Sequence, residues 1–219
     1  MPNKVLITGA TGMIGGLVLD LCLETSEIKE VISLVRRPSG ISHPKLHEIV
    51  VKDFLDLASH LENLKNVDLV FYCLGAYTGS GTSEELRRIT VDMPAHLAET
   101  LILVNAHPTF CLLSGAGADR TEKSRMAFAR DKGAIENILS NSDLAAFYSL
   151  RPSYIYPVTP RTEPNFSYRL TRSLYPLIRL LGNKHSIPST DLAAAMVKVG
   201  LHGHDTEILE NKDILACLN

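Results

Sequence analysis

The stretch Lys4-Val5-Leu6-Ile7-Thr8-Gly9-Ala10-Thr11-Gly12-Met13-Ile14-Gly15 joins an apolar run to a glycine-rich turn, and a helical pattern follows. At such a turn, backbone N–H groups and the positive end of a helix dipole bind phosphate. Gly9 and Gly12 keep Cβ atoms away from the phosphate, and Gly15 lets the helix pack closely on the strand. The stretch predicts a dinucleotide pyrophosphate site at residues 9–15. A turn that only ends a strand is the alternative, and the register of strand, turn, helix and next strand disfavours it.

Two basic residues, Arg36 and Arg37, end the next predicted strand. They lie about twenty residues past the turn, where NAD-binding sites usually carry an acidic residue on the adenosine ribose. A guanidinium at this place would pair with a 2′-phosphate through charge-assisted hydrogen bonds. The positions favour NADP(H) over NAD(H) as the cofactor. Two solvated arginines at a strand end are the alternative.

Short runs rich in Val, Ile and Leu alternate with helical patterns along the chain, an order typical of a parallel sheet covered by helices on both faces. We predict strands at residues 3–8, 30–36, 48–53, 68–74, 109–114 and 145–150, with a seventh at 206–210. We predict helices at residues 13–25, 84–104, 121–141, 168–181 and 190–201, with a short one after 211. The fold class is α/β, a doubly wound, mostly parallel sheet of the Rossmann type. Its small C-terminal, substrate-side region is placed at residues 153–189, around a proline-rich loop.

Composition narrows the function classes. The chain has 219 residues, 45% of them hydrophobic, which suits a single domain over residues 1–219. Its net charge of −2 favours neither nucleic acid nor an anionic membrane as the main partner. The four cysteines show no C-x-x-C spacing, and no third ligand accompanies His202 and His204, so we expect no metal site. The absence of a signal-peptide pattern and of a membrane span predicts a cytoplasmic location. The oligomeric state stays open, with a homodimer as one option.

Short motifs spread over most of the chain carry a family resemblance. They are Thr8 to Gly15 with its G-x-x-G-x-x-G spacing, Arg36-Arg37, Lys52-Asp53, Cys73-Leu74-Gly75, Leu113-Ser114 and Leu150-Arg151-Pro152. In these the chain resembles the atypical and extended short-chain dehydrogenase/reductases. Cys73-Leu74-Gly75 and Gly117-Ala118-Asp119 bring it closest to the small Tat-interacting-protein-like oxidoreductase group, whose members bind NADPH.

The resemblance implies further cofactor contacts. Asp53 would bind the adenine amine, next to Phe54, and Lys132 would bind the nicotinamide ribose. The implied lining of the adenosine and ribose is Leu74, Gly75 and Ala76, and the residues implied to flank the nicotinamide are Pro152 to Ile155, with Tyr154 and Ile155 as contacts.

The catalytic pair of the superfamily, Tyr-x-x-x-Lys, is altered here. Lys132 is kept, but Phe128 stands at the tyrosine position and has no proton to give. Lys132 shares a helical stripe with apolar residues, so it points inward and needs a partner, unless its stem passes the stripe to reach solvent. Ser114 is the candidate serine, although extended members usually carry it slightly further on, where this chain has Gly115 and Ala116.

Two functions fit these residues. The first is an NADPH-dependent reductase of a small carbonyl substrate, with an atypical catalytic set and with Tyr77, Tyr154 or Tyr156 as other sources of a hydroxyl. The second is a non-catalytic NADP(H)-binding redox sensor that reports cofactor state to a protein partner. Phe128 separates the two more than any other residue in the sequence.

Overall fold

A computed structural model describes residues 2–75, 81–104, 106–158 and 185–218 of the protein. The strands in chain order are β1 (Lys4–Thr8), β2 (Glu30–Val35), β3 (Leu46–Val50), β4 (Leu69–Tyr72), β5 (Thr109–Leu113), β6 (Ala146–Arg151), β7 (Tyr154–Tyr156), β8 (Ser186–Pro188) and β9 (Ile208–Glu210). The helices are α1 (Met13–Glu24), α2 (Leu61–Leu64), α3 (Ser83–Arg87), α4 (Met93–Leu103), α5 (Ala127–Ser140), α6 (Ser189–His202) and α7 (Asn211–Ala216).

Seven of the strands form one sheet in the order β3-β2-β1-β4-β5-β6-β9, and every neighbouring pair is parallel. This is the doubly wound Rossmann arrangement, so the predicted fold class is confirmed. All seven predicted strands are present, and the third lies at Leu46–Val50 rather than at residues 48–53. The order reverses between β1 and β4, which opens a crevice at the carboxyl ends of these two strands.

The core lies on both faces of this sheet. Val5 and Ile7 of β1 point into the cluster under α1 and α6. Leu6, between them in sequence, points into the cluster under α4 and α5. Successive side chains of a strand alternate between faces, and a covered parallel sheet therefore needs a continuous apolar run. The uninterrupted run Val5-Leu6-Ile7 is that signature.

The helix predicted at residues 84–104 is not continuous. It consists of α3, a π-helical segment at Arg88–Asp92, and α4. Pro94, in the first turn of α4, has no N–H to give to the preceding turn, and the altered hydrogen bonding accommodates it. The spacing of apolar residues over 84–104 indicated helix, but it could not reveal the change of hydrogen bonding in the π-helical segment.

The helix predicted at residues 121–141 begins later, at Ala127. The side chain of Asp119 accepts hydrogen bonds from the backbone N–H groups of Thr121, Lys123 and Ser124 and so holds residues 119–124 in a turn. A local side-chain acceptor competes with the helical hydrogen bonds in this way. These hydrogen bonds consequently fix the conformation of the loop between β5 and α5.

One further difference lies near the C-terminal region. A second sheet pairs β7 with β8, and the sequence patterns did not predict it. The helix predicted at residues 168–181 lies outside the described residues. In the described ranges, no helix is both long enough and apolar enough to span a membrane.

Candidate functional site

The glycine turn lies in the crevice between β1 and β4. Gly9 has a φ of +74°, and a Cβ there would lie 2.8 Å from the carbonyl carbon of Cys73 at the end of β4. A Cβ at Gly15 would lie 2.2 Å from the carbonyl oxygen of Gly9. Both positions therefore exclude any side chain. Gly12 N–H closes the turn by donating to the Gly9 carbonyl oxygen at 2.8 Å.

The turn leaves unpaired donors at the start of α1. The N–H groups of Thr11 and Met13 donate to no atom of the described residues, and Gly12, the N-cap of α1, supplies no side-chain cap. The first turn of α1 also contains no acidic residue. Free N–H groups at the positive end of a helix bind phosphate, so a dinucleotide pyrophosphate fits this cradle.

The two arginines lie at the same edge of the sheet. β2 pairs with β1 in parallel, and Leu34 is opposite Thr8, so Arg36 and Arg37 follow β2 just as the glycine turn follows β1. Both are exposed, and neither forms an ion pair with any of the described residues. Two arginines with no ion pair among the described residues thus follow β2 at the same sheet edge as the cradle.

Asp53 lies beyond the end of β3, in a loop. Its Oδ1 accepts from Leu55 N–H at 3.0 Å, and Nη2 of Arg88 donates to both carboxylate oxygens, each at 2.8 Å. The backbone hydrogen bond from Leu55, followed by the contact with Arg88, holds the pKa of Asp53 below its ordinary value. The side chain of neighbouring Phe54 is buried in the core cluster under α4 and α5.

The segment predicted to line the adenosine follows β4. Leu74 is half-buried and packs against the core cluster under α4 and α5, and Gly75 is exposed. Ala76 and Tyr77 lie outside the described residues. The segment therefore begins in the crevice, next to Gly9.

Lys132 points inward from α5 and is only 7% exposed. Its Nζ donates to the carbonyl oxygen of Leu113, at the carboxyl end of β5, at 3.0 Å. Burial lowers the pKa of Lys132 to about 8, and the attraction of Glu136 opposes part of that decrease. The lysine thus has the inward partner that the sequence required, and the alternative of a solvated ammonium group is wrong.

Phe128 lies one turn before Lys132 on α5, with 43% of its surface exposed. A Cβ added at Gly115 would lie 2.8 Å from Cζ of the phenyl ring. The ring therefore lies directly against Gly115, in the part of the site where the superfamily carries its serine and tyrosine hydroxyls. Neither position has a side-chain proton donor.

A buried carboxylate, Glu136, organises the other side of Lys132, and the sequence analysis missed it. Glu136 is fully buried, and its Oε1 accepts from Ser114 Oγ at 2.6 Å, from Ser149 Oγ at 2.7 Å and from Arg151 Nε at 3.0 Å. Arg151 Nη2 donates to the other oxygen, and Arg151 Nη1 reaches Glu210 on β9 at 2.9 Å. Glu136 follows Lys132 by one helical turn, so it extends the inward stripe on α5. A second charged residue on this inward stripe was the sequence signal that could have identified Glu136.

The segment predicted to flank the nicotinamide follows β6. Pro152 is buried, while Tyr154 and Ile155 of β7 are half-buried. Ala116 N–H donates to the carbonyl oxygen of Pro152 at 2.9 Å, which ties this segment to the loop after β5. Residues 159–184, most of the predicted substrate-side region, lie outside the described residues. The carboxyl ends of β1, β4, β5 and β6 thus bring most of the predicted site residues to one edge.

Metal ligands are not grouped in this way. No cluster of three or more His, Cys, Asp or Glu side chains suited to a metal ion occurs within residues 2–75, 81–104, 106–158 and 185–218.

A glycine cradle at the switch point of a seven-stranded parallel sheet, with an inward lysine on α5, defines a dinucleotide-binding protein of the Rossmann type. The chain belongs to the NAD(P)H-binding family, whose sequence profile matches residues 9–202. The NAD(P)H-binding class that the resemblance implied is thereby confirmed.

Solved structures show the same fold. A short-chain dehydrogenase/reductase from Saccharomyces cerevisiae superposes with a TM-score of 0.68 at 16% identity, covering 96% of each chain. The enzyme WbmF of Bordetella bronchiseptica, solved in complex with NAD+, gives a TM-score of 0.69 at 14% identity over 98% of this chain and 76% of its own. The oxidoreductase ylbE of Lactococcus lactis gives 0.66 at 14% identity over 98% and 96%.

Two curated relatives correct one expectation. Protein fmp52 of Aspergillus clavatus is 30% identical over 176 residues, which are 75% of this chain and 71% of that protein. Protein FMP52 of Lodderomyces elongisporus is 24% identical over 165 residues, 71% and 68% of the two chains. Both are named as mitochondrial proteins, so the cytoplasmic location predicted from the sequence is wrong. A location inferred from the absence of a recognised leader pattern had no positive evidence behind it.

Proposed function

We propose that this protein is an NADP(H)-dependent reductase of a small carbonyl substrate that works without the usual tyrosine. The observation that carries the proposal is the buried Lys132, whose ammonium group is held at the carboxyl end of β5, at the same edge of the sheet as the glycine cradle. Burying a lysine without a strong structural partner is unfavourable, and functional sites are where such groups concentrate.

The preference for NADP(H) rests on Arg36 and Arg37. Both guanidinium groups lie at the edge where the adenosine half would extend from residues 9–15. They are free of ion pairs with the described residues, so they are available for a 2′-phosphate. Asp53, held by Arg88, would accept from the adenine amine.

At the nicotinamide end of the cofactor, several residues of the chain would have separate roles. NADPH supplies a hydride when it is bound. Lys132 would hold the nicotinamide ribose, because its Nζ uses one proton on Leu113 and keeps two donors. Pro152, Tyr154 and Ile155 would cover the nicotinamide and exclude water, and residues 153–189 would form the substrate side.

A second function is favoured by one specific observation. The ring of Phe128 and Gly115 together leave the usual place of the proton donor without a hydroxyl. A protein with this arrangement can bind the cofactor and still turn over slowly or not at all. A non-catalytic NADP(H)-binding redox sensor is therefore the competing proposal.

Turnover measurements separate the two functions. NADPH consumption would be followed with a panel of small aldehydes and ketones, for the wild type and for Lys132→Met. The reductase predicts turnover above the uncatalysed rate that Lys132→Met lowers by at least about tenfold, which corresponds to a loss of about 1.4 kcal/mol from the positioning of the nicotinamide ribose. Tight NADPH binding with no turnover on any member of the panel would support the sensor.

A further inference from the structure

Ser114 has already committed its hydroxyl proton. Its Oγ is 2.6 Å from Oε1 of Glu136, a fully buried side chain that also pairs with the guanidinium of Arg151. Hydrogen bonding to Glu136 is the main cause of a raised pKa at Arg151, which keeps that partner charged. A carboxylate in this setting only accepts hydrogen bonds, so the serine must be the donor.

The remaining capacity of Ser114 is therefore that of an acceptor. A hydroxyl has one proton and two lone pairs, and the proton points at Glu136. A serine that activates a carbonyl substrate must do the reverse and donate to the carbonyl oxygen. With Glu136 in place, Ser114 offers its oxygen to a donor on the ligand.

The position of Ser114 indicates which donor this is. Ser114 N–H donates to the carbonyl oxygen of Leu150, and Ala116 N–H to that of Pro152, each at 2.9 Å, so the serine adjoins the segment proposed to cover the nicotinamide. The nicotinamide ring carries one donor group, the N–H of its carboxamide. We propose that Glu136 is a positioning residue that fixes the Ser114 oxygen as the acceptor for this carboxamide N–H. The inference rests on the proposed cofactor site.

A matched pair of variants tests the role of the serine. Ser114→Ala and Ser149→Ala each remove one hydroxyl from the same Glu136 oxygen, but only Ser114 adjoins the nicotinamide segment. Binding of NADP+, of its 3-acetylpyridine analogue and of adenosine 2′,5′-bisphosphate would be measured by calorimetry. The analogue keeps the carbonyl and lacks the N–H, and the bisphosphate lacks the whole nicotinamide half.

We expect the wild type and Ser149→Ala to bind NADP+ about 2- to 13-fold more tightly than the analogue, the range of one hydrogen bond. Ser114→Ala should bind the two equally and should retain the wild-type affinity for the bisphosphate. A preference for NADP+ that survives in Ser114→Ala would overturn the inference. If the wild type binds none of the three ligands, the proposed function itself fails.

Glu136→Gln tests the positioning role directly. A glutamine would give its carbonyl oxygen to Arg151 and its amide N–H to the serines, so the Ser114 proton would turn toward the ligand. The preference for NADP+ over the analogue should disappear, with unchanged binding of the bisphosphate as proof of folding. A wild-type preference in folded Glu136→Gln would show that Glu136 has no influence on the site. If this variant does not fold, Ser114→Ala and Ser149→Ala still decide whether Ser114 accepts the hydrogen bond from the carboxamide.

Discussion

The phenyl ring of Phe128 lies against the backbone of Gly115, with Cζ of the ring only 2.8 Å from where a Cβ of residue 115 would lie. Positions 115 and 128, which correspond to hydroxyl-bearing positions in the superfamily that the chain resembles, thus both lack a hydroxyl group here. The glycine leaves room for the ring, and the ring covers the glycine.

Phe128→Tyr would place a hydroxyl on Cζ, beside Gly115 and near Lys132. We expect it to raise NADPH-dependent turnover by at least about tenfold, because a positioned general acid is worth about 100- to 10,000-fold in favourable cases. NADPH affinity should not change. Phe128→Leu, which alters the ring without adding a hydroxyl, is the control, and an equal gain in that variant would show that pocket shape is responsible.

Gly15→Ala should abolish cofactor binding. Its Cβ would lie 2.2 Å from the backbone carbonyl of Gly9, so the turn must open and the phosphate cradle is lost. We expect at least about a hundredfold weaker binding of NADPH, since several charge-assisted hydrogen bonds depend on the turn. Gly40→Ala is the control: it also introduces strain, at a φ of +82°, but meets no atom within 4 Å. Near-normal binding in Gly15→Ala would contradict the cradle.

Lys132→Met should reveal the unfavourable burial of the charge. The native pKa of about 8 lies below the ordinary 10.5, so between these values the unfolded chain binds more protons and the stability of the wild type rises with pH. Relative to Lys132→Met, the wild type should gain up to about 3 kcal/mol in unfolding free energy between pH 8 and pH 10.5. Urea unfolding at several pH values measures this, with Lys123→Met as the surface control. A difference that does not vary with pH would contradict the buried, charged lysine.

Arg151→Ala should be strongly destabilising because it leaves the fully buried Glu136 without its guanidinium. We expect a loss of about 3 to 5 kcal/mol in unfolding free energy, against less than about 1 kcal/mol for Lys65→Ala, which breaks an exposed pair with Glu62. The double variant Arg151→Met with Glu136→Gln should recover most of the loss. Equal effects of Arg151→Ala and Lys65→Ala would mean that the buried pair contributes no more than an exposed one.

The sequence predicted the parts of the fold that local chemistry determines. The apolar run Val5-Leu6-Ile7, the glycine turn and the seven strands all follow from periodicity and backbone sterics. The late start of α5 did not, because it depends on Asp119 drawing three backbone N–H groups into a turn. The π-helical segment before Pro94 likewise changes hydrogen bonding without changing which side chains are buried.

The site was predictable to a similar extent. The inward position of Lys132 follows from its helical stripe, and the structure places it there. The link between Glu136 and Ser114 could not be derived, because it joins a helix to the ends of two strands and exists only after the sheet has assembled. Sequence spacing placed Lys132 on the stripe, but it identified neither Glu136, one turn later, nor the serine hydroxyls that donate to Glu136.

The affinity for NADPH relative to that for NADH is the decisive test of whether this protein has an NADP(H) site. Fluorescence titrations with the wild type and with Arg36→Ala, alone and combined with Arg37→Ala, would give the dissociation constants of both cofactors. We expect the wild type to bind NADPH at least about tenfold more tightly than NADH, a difference of about 1.4 kcal/mol. The double variant should lose this preference, and its affinity for NADH should stay the same. Equal wild-type affinity for the two cofactors would contradict an NADP(H) site.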